Sequence, residues 1–472
     1  MGFFKRLGIF ICVLAVGALF LLVMPDNGIV HKAGPHVEHK WGEWFIELEP
    51  TKTEPGSRYH ICKSCDLIES EEIPPIGSLD LEVSETNEGI IVSGIGNCTD
   101  TAVVIPGYID GKQVIAIGEG AFRDENIWSL TVLPGVERIE KDAFNGCSQL
   151  KAIEIGDSVT VIGDSAFMGC GEVTSVMLSA NLQQIGKDAF RDCKLVNYFE
   201  LPITLTSIGS GAFMGCEALC DLTLPAGVTS IEADTFNGCV SLANIQLESD
   251  GTPSALLNIG ENAFRGCVAL CNIRFPASLT SIGVKAFMGC ESITLLELPA
   301  GLTEIGEVAF QGCTNLVQVQ IPSSVKVISA NLFNGCTALD QITLSDATTS
   351  IGQGAFRDCK NLSALALPDG VTEIGESAFS GCKALTALHI PDGVTVLSDN
   401  MFYNCSGLAS LDLPEGLTEI GAQAFYDCGK LKTINYDSTK TAWGKIVKGS
   451  NWKKDMPKCT VKCTDGTVTI RQ

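Results

Sequence analysis

The sequence predicts a repeat solenoid: a right-handed array of short parallel strands, with about 14 coils of 23 residues. Three observations predict it. A phenylalanine recurs at a nearly constant interval, as between Phe167 and Phe190; a cysteine follows most of these phenylalanines by three residues; and alternating apolar residues precede them. Units of one short period are typical of solenoids, in which each unit buries its apolar edge only against its neighbours.

Composition excludes some classes of partner. The 472 residues include 55 acidic and 32 basic ones, for a net charge of -23, and 45% are hydrophobic, which excludes a disordered chain. An acidic surface repels phosphate backbones, so we expect no nucleic-acid partner. The charge is uneven: residues 437–472 hold eight basic and three acidic residues, a local charge of +5, so the preceding residues carry about -28.

The N-terminus predicts a membrane anchor. Lys5 and Arg6 precede an uninterrupted apolar run of 18 residues, 7–24, which is long enough to span a bilayer and lacks a following small-residue cleavage site. The positive-inside tendency makes residues 1–6 a cytoplasmic stub and places the rest outside the cell. We therefore expect a single-pass membrane protein, and the alternative is secretion after signal cleavage.

Residues 25–78 predict a small extracellular module and linker. Cys62 and Cys65 form a C-x-x-C pair, and with His39 and His60 they make a candidate zinc ligand set. The segment resembles a small module of bacterial exported proteins, whose members commonly carry further ligands that are absent here. The alternatives to a metal are a Cys62–Cys65 disulfide or a plain thiol pair, and we predict no metal.

The array occupies residues 79–436. Its template is clear between Leu219 and Cys239, where Leu222 and Leu224 alternate as in a strand and Pro225 ends it. The recurring phenylalanines should fill the centre of the coils, and we call them the phenylalanine ladder. They are Phe122, Phe144, Phe167, Phe190, Phe213, Phe236, Phe264, Phe287, Phe310, Phe333, Phe356, Phe379, Phe402 and Phe425.

Thirteen cysteines form a second ladder, the cysteine ladder. In an exported protein, disulfide bonds are the first interpretation of recurring cysteines. The side chains of stacked neighbours are parallel and lie about 4.8 Å apart, which exceeds the usual Cβ separation of a disulfide. We therefore predict small buried thiols. The ladder consists of Cys147, Cys170, Cys193, Cys216, Cys239, Cys267, Cys290, Cys313, Cys336, Cys359, Cys382, Cys405 and Cys428.

With this motif, V-T-x-I-G-x-x-A-F-x-G-C, residues 93–436 resemble the BspA-like leucine-rich repeats of bacterial surface proteins. The resemblance implies a leucine-rich-repeat-like fold and a role as an adhesin or interaction surface. Residues 437–472 break the period and resemble the C-terminal cap of many such proteins from gut-type Firmicutes. Trp443 and Trp452 fit either cap packing or a carbohydrate contact, and Cys459 has no assigned role.

No enzymatic function is predicted. The chain has five histidines, and His389 alone lies within the array, without a nucleophile or carboxylate at a catalytic spacing. No phosphate-binding loop or dinucleotide fingerprint occurs, so neither catalytic residues nor a cofactor are expected.

Binding is the predicted function, with a structural spacer or envelope component as the alternative. Seven residues after each ladder cysteine lies a position that should face outward and that changes in almost every coil, as in extended binding surfaces. We expect an extracellular protein or glycan ligand there. The row is Glu154, Met177, Glu200, Thr223, Gln246, Arg274, Glu297, Gln320, Thr343, Ala366, His389, Asp412 and Asn435.

One coil is five residues longer than the others. The extra residues lie within residues 248–255, a polar stretch with Gly and Pro that fits an exposed turn. We expect a loop there, either a local recognition element that includes Glu248 and Asp250 or a tolerated insertion without a role.

Overall fold

The computed structural model describes residues 40–63, 68–247 and 253–471. In these ranges no helix is both long and apolar enough to cross a membrane. The predicted anchor at residues 7–24 lies outside them, so the anchor stays a prediction.

The chain forms two compact units. The first comprises Met1–Glu47 and Ser57–Glu71, and the second comprises Leu48–Gly56 and Glu72–Gln472. The first three strands along the chain form one sheet, in the order β1-β2-β3. Its strands are β1 (Phe45–Leu48), β2 (Gly56–Ile61) and β3 (Ile68–Ile73).

The repeats form a parallel β-solenoid of about 16 turns of about 23 residues. Most turns contribute to two rows of short strands, because the chain runs extended, bends, in many turns at a proline, and runs extended again. The first row contains β6 (Ala102–Ile105), β9 (Ser129–Val132), β11 (Ala152–Ile155), β13 (Ser175–Met177), β16 (Asp221–Thr223), β18 (Asn244–Gln246), β20 (Asn272–Ile273), β22 (Leu295–Glu297), β24 (Gln318–Gln320), β26 (Gln341–Thr343), β29 (Ala387–His389), β31 (Ser410–Leu413), β33 (Thr433–Tyr436) and β35 (Cys459–Cys463).

The second row follows the proline turn. It contains β5 (Ile90–Gly94), β8 (Lys112–Ile117), β10 (Arg138–Ile139), β12 (Val161–Ile162), β14 (Gln184–Ile185), β15 (Ser207–Ile208), β17 (Ser230–Ile231), β19 (Asn258–Ile259), β21 (Ser281–Ile282), β23 (Glu304–Ile305), β25 (Val327–Ile328), β27 (Ser350–Ile351), β28 (Glu373–Ile374), β30 (Val396–Leu397), β32 (Glu419–Ile420) and β34 (Val447–Lys448). The remaining elements are β4 (Glu82–Glu85), β7 (Tyr108–Ile109), α1 (Lys440–Lys445) and β36 (Gly466–Ile470).

Equivalent residues of successive turns pair in register. The first row divides into four sheets, β13-β11-β9-β6, β16-β18-β20, β22-β24-β26 and β29-β31-β33-β35-β36. All pairs within these sheets are parallel except β35 with β36, which is antiparallel. Parallel register places like residues side by side, for example Ile162 beside Ile185.

The expected 14 coils are too few, because the array was counted by its phenylalanines. One further turn at each end carries strands in both rows without a ladder phenylalanine: β5 and β6 at the start, β34 and β35 at the end. In the last turn, the Phe425 N–H donates to the Trp452 carbonyl, as other ladder phenylalanines do to the residue before the next one. Met456 then takes the cysteine position, and Cys459 a leucine position; both are buried.

The phenylalanine ladder forms the centre of the core, as predicted. All its side chains are fully buried, and neighbouring ring centroids lie between 5.0 Å (Phe122–Phe144) and 5.9 Å (Phe310–Phe333) apart, in stacked orientation. In-register packing imposes this arrangement, since each ring lies beside its equivalents in adjacent turns.

The backbone around each ladder phenylalanine requires residues that tolerate a left-handed conformation. Two residues after the phenylalanine, φ is positive, with Gly238 at 77° and Gly312 at 75°. Where glycine is absent at this position, an Asp or Asn replaces it with φ of 57–60°, at Asp124, Asp192, Asp358, Asn404 and Asp427. Glycine, Asp and Asn are the residues that enter this region at least cost, which explains why the repeat reads G-C or D-C.

The residues on both sides of the five-residue insertion keep the regular stacking of the core. Leu247 before it and Leu256 after it are both buried, and the Ala255 N–H donates to the Ala226 carbonyl at 3.0 Å. The core therefore passes the insertion without interruption.

Candidate functional site

The first strand row presents one continuous exposed side, which we call the strand face. In β16, for example, Asp221 and Thr223 are exposed and Leu222 between them is buried. This alternation follows from the pleat, which points successive side chains to opposite sides. Of the thirteen residues predicted to face outward, eleven are exposed, and Asp412 and Asn435 are half-buried.

Register brings the predicted residues together in pairs. Glu154 lies opposite Met177, Thr223 opposite Gln246, and Glu297 opposite Gln320. Arg274 and Glu200 are also exposed, but each stands just outside the paired strand residues of its turn. The predicted loop residues Glu248 and Asp250 lie outside the described residues.

The middle of the strand face holds polar side chains that bond to one another across strands. The Asn244 amide donates to the Asp221 carboxylate at 2.7 Å. The Thr223 hydroxyl lies 3.3 Å from the Gln246 side-chain oxygen in the next turn. These cross-strand pairs satisfy part of the polar surface internally, which lowers the gain from binding a polar ligand there.

The N-terminal part of the strand face contains large exposed side chains, Met177 and Tyr198, which we call the apolar part of the strand face. Met177 is 61% exposed and Tyr198, in the next turn, is 55% exposed. Tyr198 occupies the position diagonal to Met177, within reach of one contact surface. Trp128, at the edge of an earlier turn, is 58% exposed and its ring lies 5.3 Å from the Lys151 ammonium.

Sequence reasoning missed Tyr198 as a surface residue, because only the position seven residues after each cysteine was considered. Tyr198 lies five residues after Cys193, and the same strand alternation places that position on the strand face. The first strand row is interrupted between β13 and β16. At this point Tyr198 forms an isolated β-bridge with Asp221. The inward neighbour, Phe199, packs edge-on against the phenylalanine ladder.

The structure describes two of the four candidate zinc ligands, His60 and Cys62. His60 is buried, its ring stacks between Trp41 (4.3 Å) and Trp44 (3.8 Å), and its Nε2 lies 2.8 Å from Glu69. Cys62 is buried on the bridge to Trp41, whereas His39 and Cys65 lie outside the described residues. Within the described ranges, no group of three or more His, Cys, Asp or Glu side chains could hold a metal ion.

The cysteine ladder consists of buried free thiols, as predicted, and the structure adds their partners. Every ladder thiol donates a hydrogen bond to the carbonyl of the ladder phenylalanine in the preceding turn, from 3.0 Å at Cys147 to 3.4 Å at Cys313. Cysteine suits this position because it is small, apolar and a weak donor. Burial raises the pKa of Cys193 to about 12, so the reactive thiolate is suppressed.

Parallel turns, stacked core ladders and a variable strand face define a leucine-rich repeat solenoid. The family model of the BspA type leucine rich repeat region matches residues 115–243, 241–346 and 326–447, and the chain belongs to this family. No curated protein matches the sequence. The related proteins are leucine-rich repeat proteins, a fold family without enzymatic activity.

Solved structures of bacterial leucine-rich repeat proteins resemble the chain. A leucine-rich repeat protein from Bacteroides ovatus is 29% identical, with a TM-score of 0.69, and the match covers 80% of this chain and 98% of that one. A leucine rich cell surface protein from Faecalibacterium prausnitzii is 25% identical over 79% of this chain and 98% of that one, with a TM-score of 0.44.

Proposed function

We propose that this chain is a bacterial cell-surface protein that binds an extracellular protein or glycan through its strand face. One observation carries the proposal: within single strands, inward residues stay apolar while their exposed neighbours change from turn to turn, as from Thr223 to Gln246 to Arg274. Packing constrains the buried positions alone, so the varied exposed side is available for recognition. Membership of the BspA-type family supports a surface interaction role.

The apolar part of the strand face is the proposed centre of binding. Aromatic residues and methionine are enriched at the centres of interfaces, where they bury much area at low entropic cost. Met177 and Tyr198 fit such a centre, and the exposed carboxylates of Glu154 and Glu200 flank them as a polar rim.

The ends of the chain complete the proposal. Residues 7–24 anchor the protein in the membrane and leave the solenoid outside the cell; release after signal cleavage is the alternative. Residues 437–472 form the C-terminal cap and include the last turn, since an open end would expose apolar side chains. Trp443 supports this role because it is buried and packs edge-on against Tyr436, with ring centroids 5.5 Å apart.

Ligand capture with matched variants tests the strand face. The full chain is applied to immobilised extracellular-matrix proteins, mucins and whole bacterial cells. Tyr198→Ser should weaken the strongest binding about tenfold or more, as loss of an aromatic hot spot does. Leu295→Ser is the control, because Leu295 occupies the same position of a later turn and is 46% exposed.

Equal effects of the two substitutions would contradict a binding centre at Tyr198. Binding to none of the three probes would favour the alternative, a structural spacer. Topology is tested separately: protease added to intact cells should remove the solenoid while a short fragment stays in the membrane fraction, and full protection would contradict an extracellular solenoid.

A further inference from the structure

The C-terminal end of the solenoid differs in charge from the rest of the molecule. Residues 437–472 carry a local charge of +5, while the preceding residues carry about -28. Among the described residues, no lysine beyond Arg357 forms a salt bridge, whereas lysines and arginines nearer the N-terminus form many. Within the described residues, the lysines of the basic end therefore form no ion pair with a carboxylate.

A cavity lies within this basic end. It has a volume of about 560 Å³ and is lined by Asn451, Trp452, Lys453, Lys454, Asp455 and Met456. This volume is in the range of small-molecule sites, and the lining combines an amide, two cations and one carboxylate with the apolar side chains of Trp452 and Met456. Lys453 is held in place, because its ammonium donates to the Arg471 carbonyl. Lys454 is exposed.

A tyrosine stack adjoins the cavity through Lys454. The rings of Tyr403 and Tyr426 stack with centroids 4.9 Å apart, and the Lys454 ammonium lies 5.1 Å from the Tyr426 centroid. Both tyrosines are half-buried, and in the described part of the chain neither hydroxyl has a hydrogen-bond partner or is shielded from solvent. Lys454 therefore belongs both to the cavity lining and to the tyrosine stack beside it.

We propose that this C-terminal site binds an anionic glycan, a polysaccharide whose sugar units carry carboxylate or phosphate groups. The ammonium groups of Lys453 and Lys454 match the anions. The Asn451 amide in the lining matches a sugar hydroxyl, because it can both donate and accept. The hydroxyls of the adjoining tyrosine stack can do the same for a sugar unit that extends past Lys454. The site is separate from the strand face, so the solenoid can hold an envelope polymer at its end while its side remains available.

The geometry disfavours two other anionic polymers. A nucleobase needs a free aromatic face, and here Tyr403 and Lys454 cover the two faces of Tyr426. The acidic remainder of the chain also repels a long phosphate backbone. A membrane surface presents a flat array of headgroups, whereas the groups that line this site form a concave surface.

Binding of defined polymers tests the proposal. The full chain in neutral detergent is titrated with polygalacturonate, a phosphorylated mannan and neutral dextran, and in parallel with anionic phosphatidylglycerol vesicles and single-stranded oligothymidine. We expect both charged polysaccharides to bind, more weakly at high salt, and dextran to bind at least about tenfold more weakly, since it lacks the charged contacts. The two charged polysaccharides distinguish carboxylate from phosphate as the anion.

Variants locate the site. Lys454→Gln should weaken polysaccharide binding about tenfold, the effect of losing one charge-assisted hydrogen bond. Tyr426→Phe, which keeps the stack and removes one hydroxyl, should weaken it less. Lys151→Gln is the matched control, because Lys151 also lies over an aromatic ring, Trp128, far from the cavity in sequence. Thermal unfolding of each variant checks that the fold is kept.

Some results would overturn the site. Equal losses in Lys151→Gln and Lys454→Gln would show attraction to the surface as a whole. If dextran bound as strongly as polygalacturonate, the charge of the polysaccharide would not contribute to binding. Tighter binding of vesicles or oligothymidine than of either charged polysaccharide would replace the glycan by another ligand class.

Discussion

Phe287 and Glu297 belong to the same turn, but the position of Phe287 is constant along the array whereas the position of Glu297 varies. Phe287 is fully buried between Phe264 and Phe310, with ring centroids 5.1 and 5.4 Å away, and every turn from Phe122 to Phe425 repeats it. Glu297 is exposed, and its equivalents in adjacent turns are Arg274 and Gln320. The core positions therefore carry the stability of the solenoid, and the strand face is available to change with little effect on folding.

The largest expected effect comes from emptying the phenylalanine ladder. Phe287→Ala should lower the free energy of unfolding by about 3 to 5 kcal/mol, because stacked neighbours cannot close the cavity. Denaturant unfolding measures the change. Tyr198→Ala, also an aromatic truncation but on the strand face, should cost far less, and a similar loss in both variants would contradict the division between core and face.

The cysteine ladder predicts alkaline destabilisation. Burial raises the pKa of Cys193 to about 12 from an ordinary 9.0, so the folded chain favours the protonated thiol. This contribution is complete below about pH 9 and is lost progressively as the pH rises toward 12. Unfolding free energies measured across this range should fall, and Cys193→Ala should reduce the slope by up to about 1.4 kcal/mol per pH unit.

Reactivity offers a check on the same thiols. A thiol reagent should modify half-exposed Cys220 and Cys271 in the folded protein, and the ladder cysteines only after unfolding. Rapid labelling of ladder thiols at neutral pH in the folded chain would show that the turns open readily, contrary to the packed ladder.

A smaller effect is expected at the left-handed glycines. Gly238 has a φ of 77°, so Gly238→Ala should cost about 1 to 2 kcal/mol in backbone strain. Gly238→Asn should cost less, since Asn404 occupies the equivalent position with a φ of 58°. Gly227→Ala is the control, because the backbone there is not left-handed and the added Cβ has an ordinary contact. Thermal unfolding ranks the three variants, and equal costs for Ala and Asn at 238 would rule out strain as the cause.

The smallest effect is expected on the strand face itself. Gln320→Ala should change the free energy of unfolding by less than about 0.5 kcal/mol, since Gln320 is exposed and lies outside the core ladders. A loss above about 1 kcal/mol would show that cross-strand pairs on this face contribute to folding as well as to recognition.

Much of the solenoid could be predicted from single positions. The recurrence of phenylalanine predicted the buried ladder, and strand alternation predicted that residues such as Thr223 face outward. The end turns could not be counted in this way, because Trp452, Met456 and Cys459 stand where other turns have alanine, cysteine and leucine. A pattern identifies a turn only when the turn keeps the pattern, whereas packing requires only side chains that fit.

The sequence by itself determined the repeat period, the in-register stacking, the inward and outward sides of each strand, and the reduced state of the cysteine ladder. Tertiary structure alone decided which polar groups meet. The thiol-to-carbonyl bonds join residues of adjacent turns, as from Cys147 to Phe122. At the C-terminal end, the Lys454 ammonium lies over the ring of Tyr426. These two residues stand 28 positions apart because α1 lengthens the last turn. The physical reason is that periodicity constrains apolar burial, which is non-directional, whereas hydrogen bonds and cavities depend on distances between separate turns.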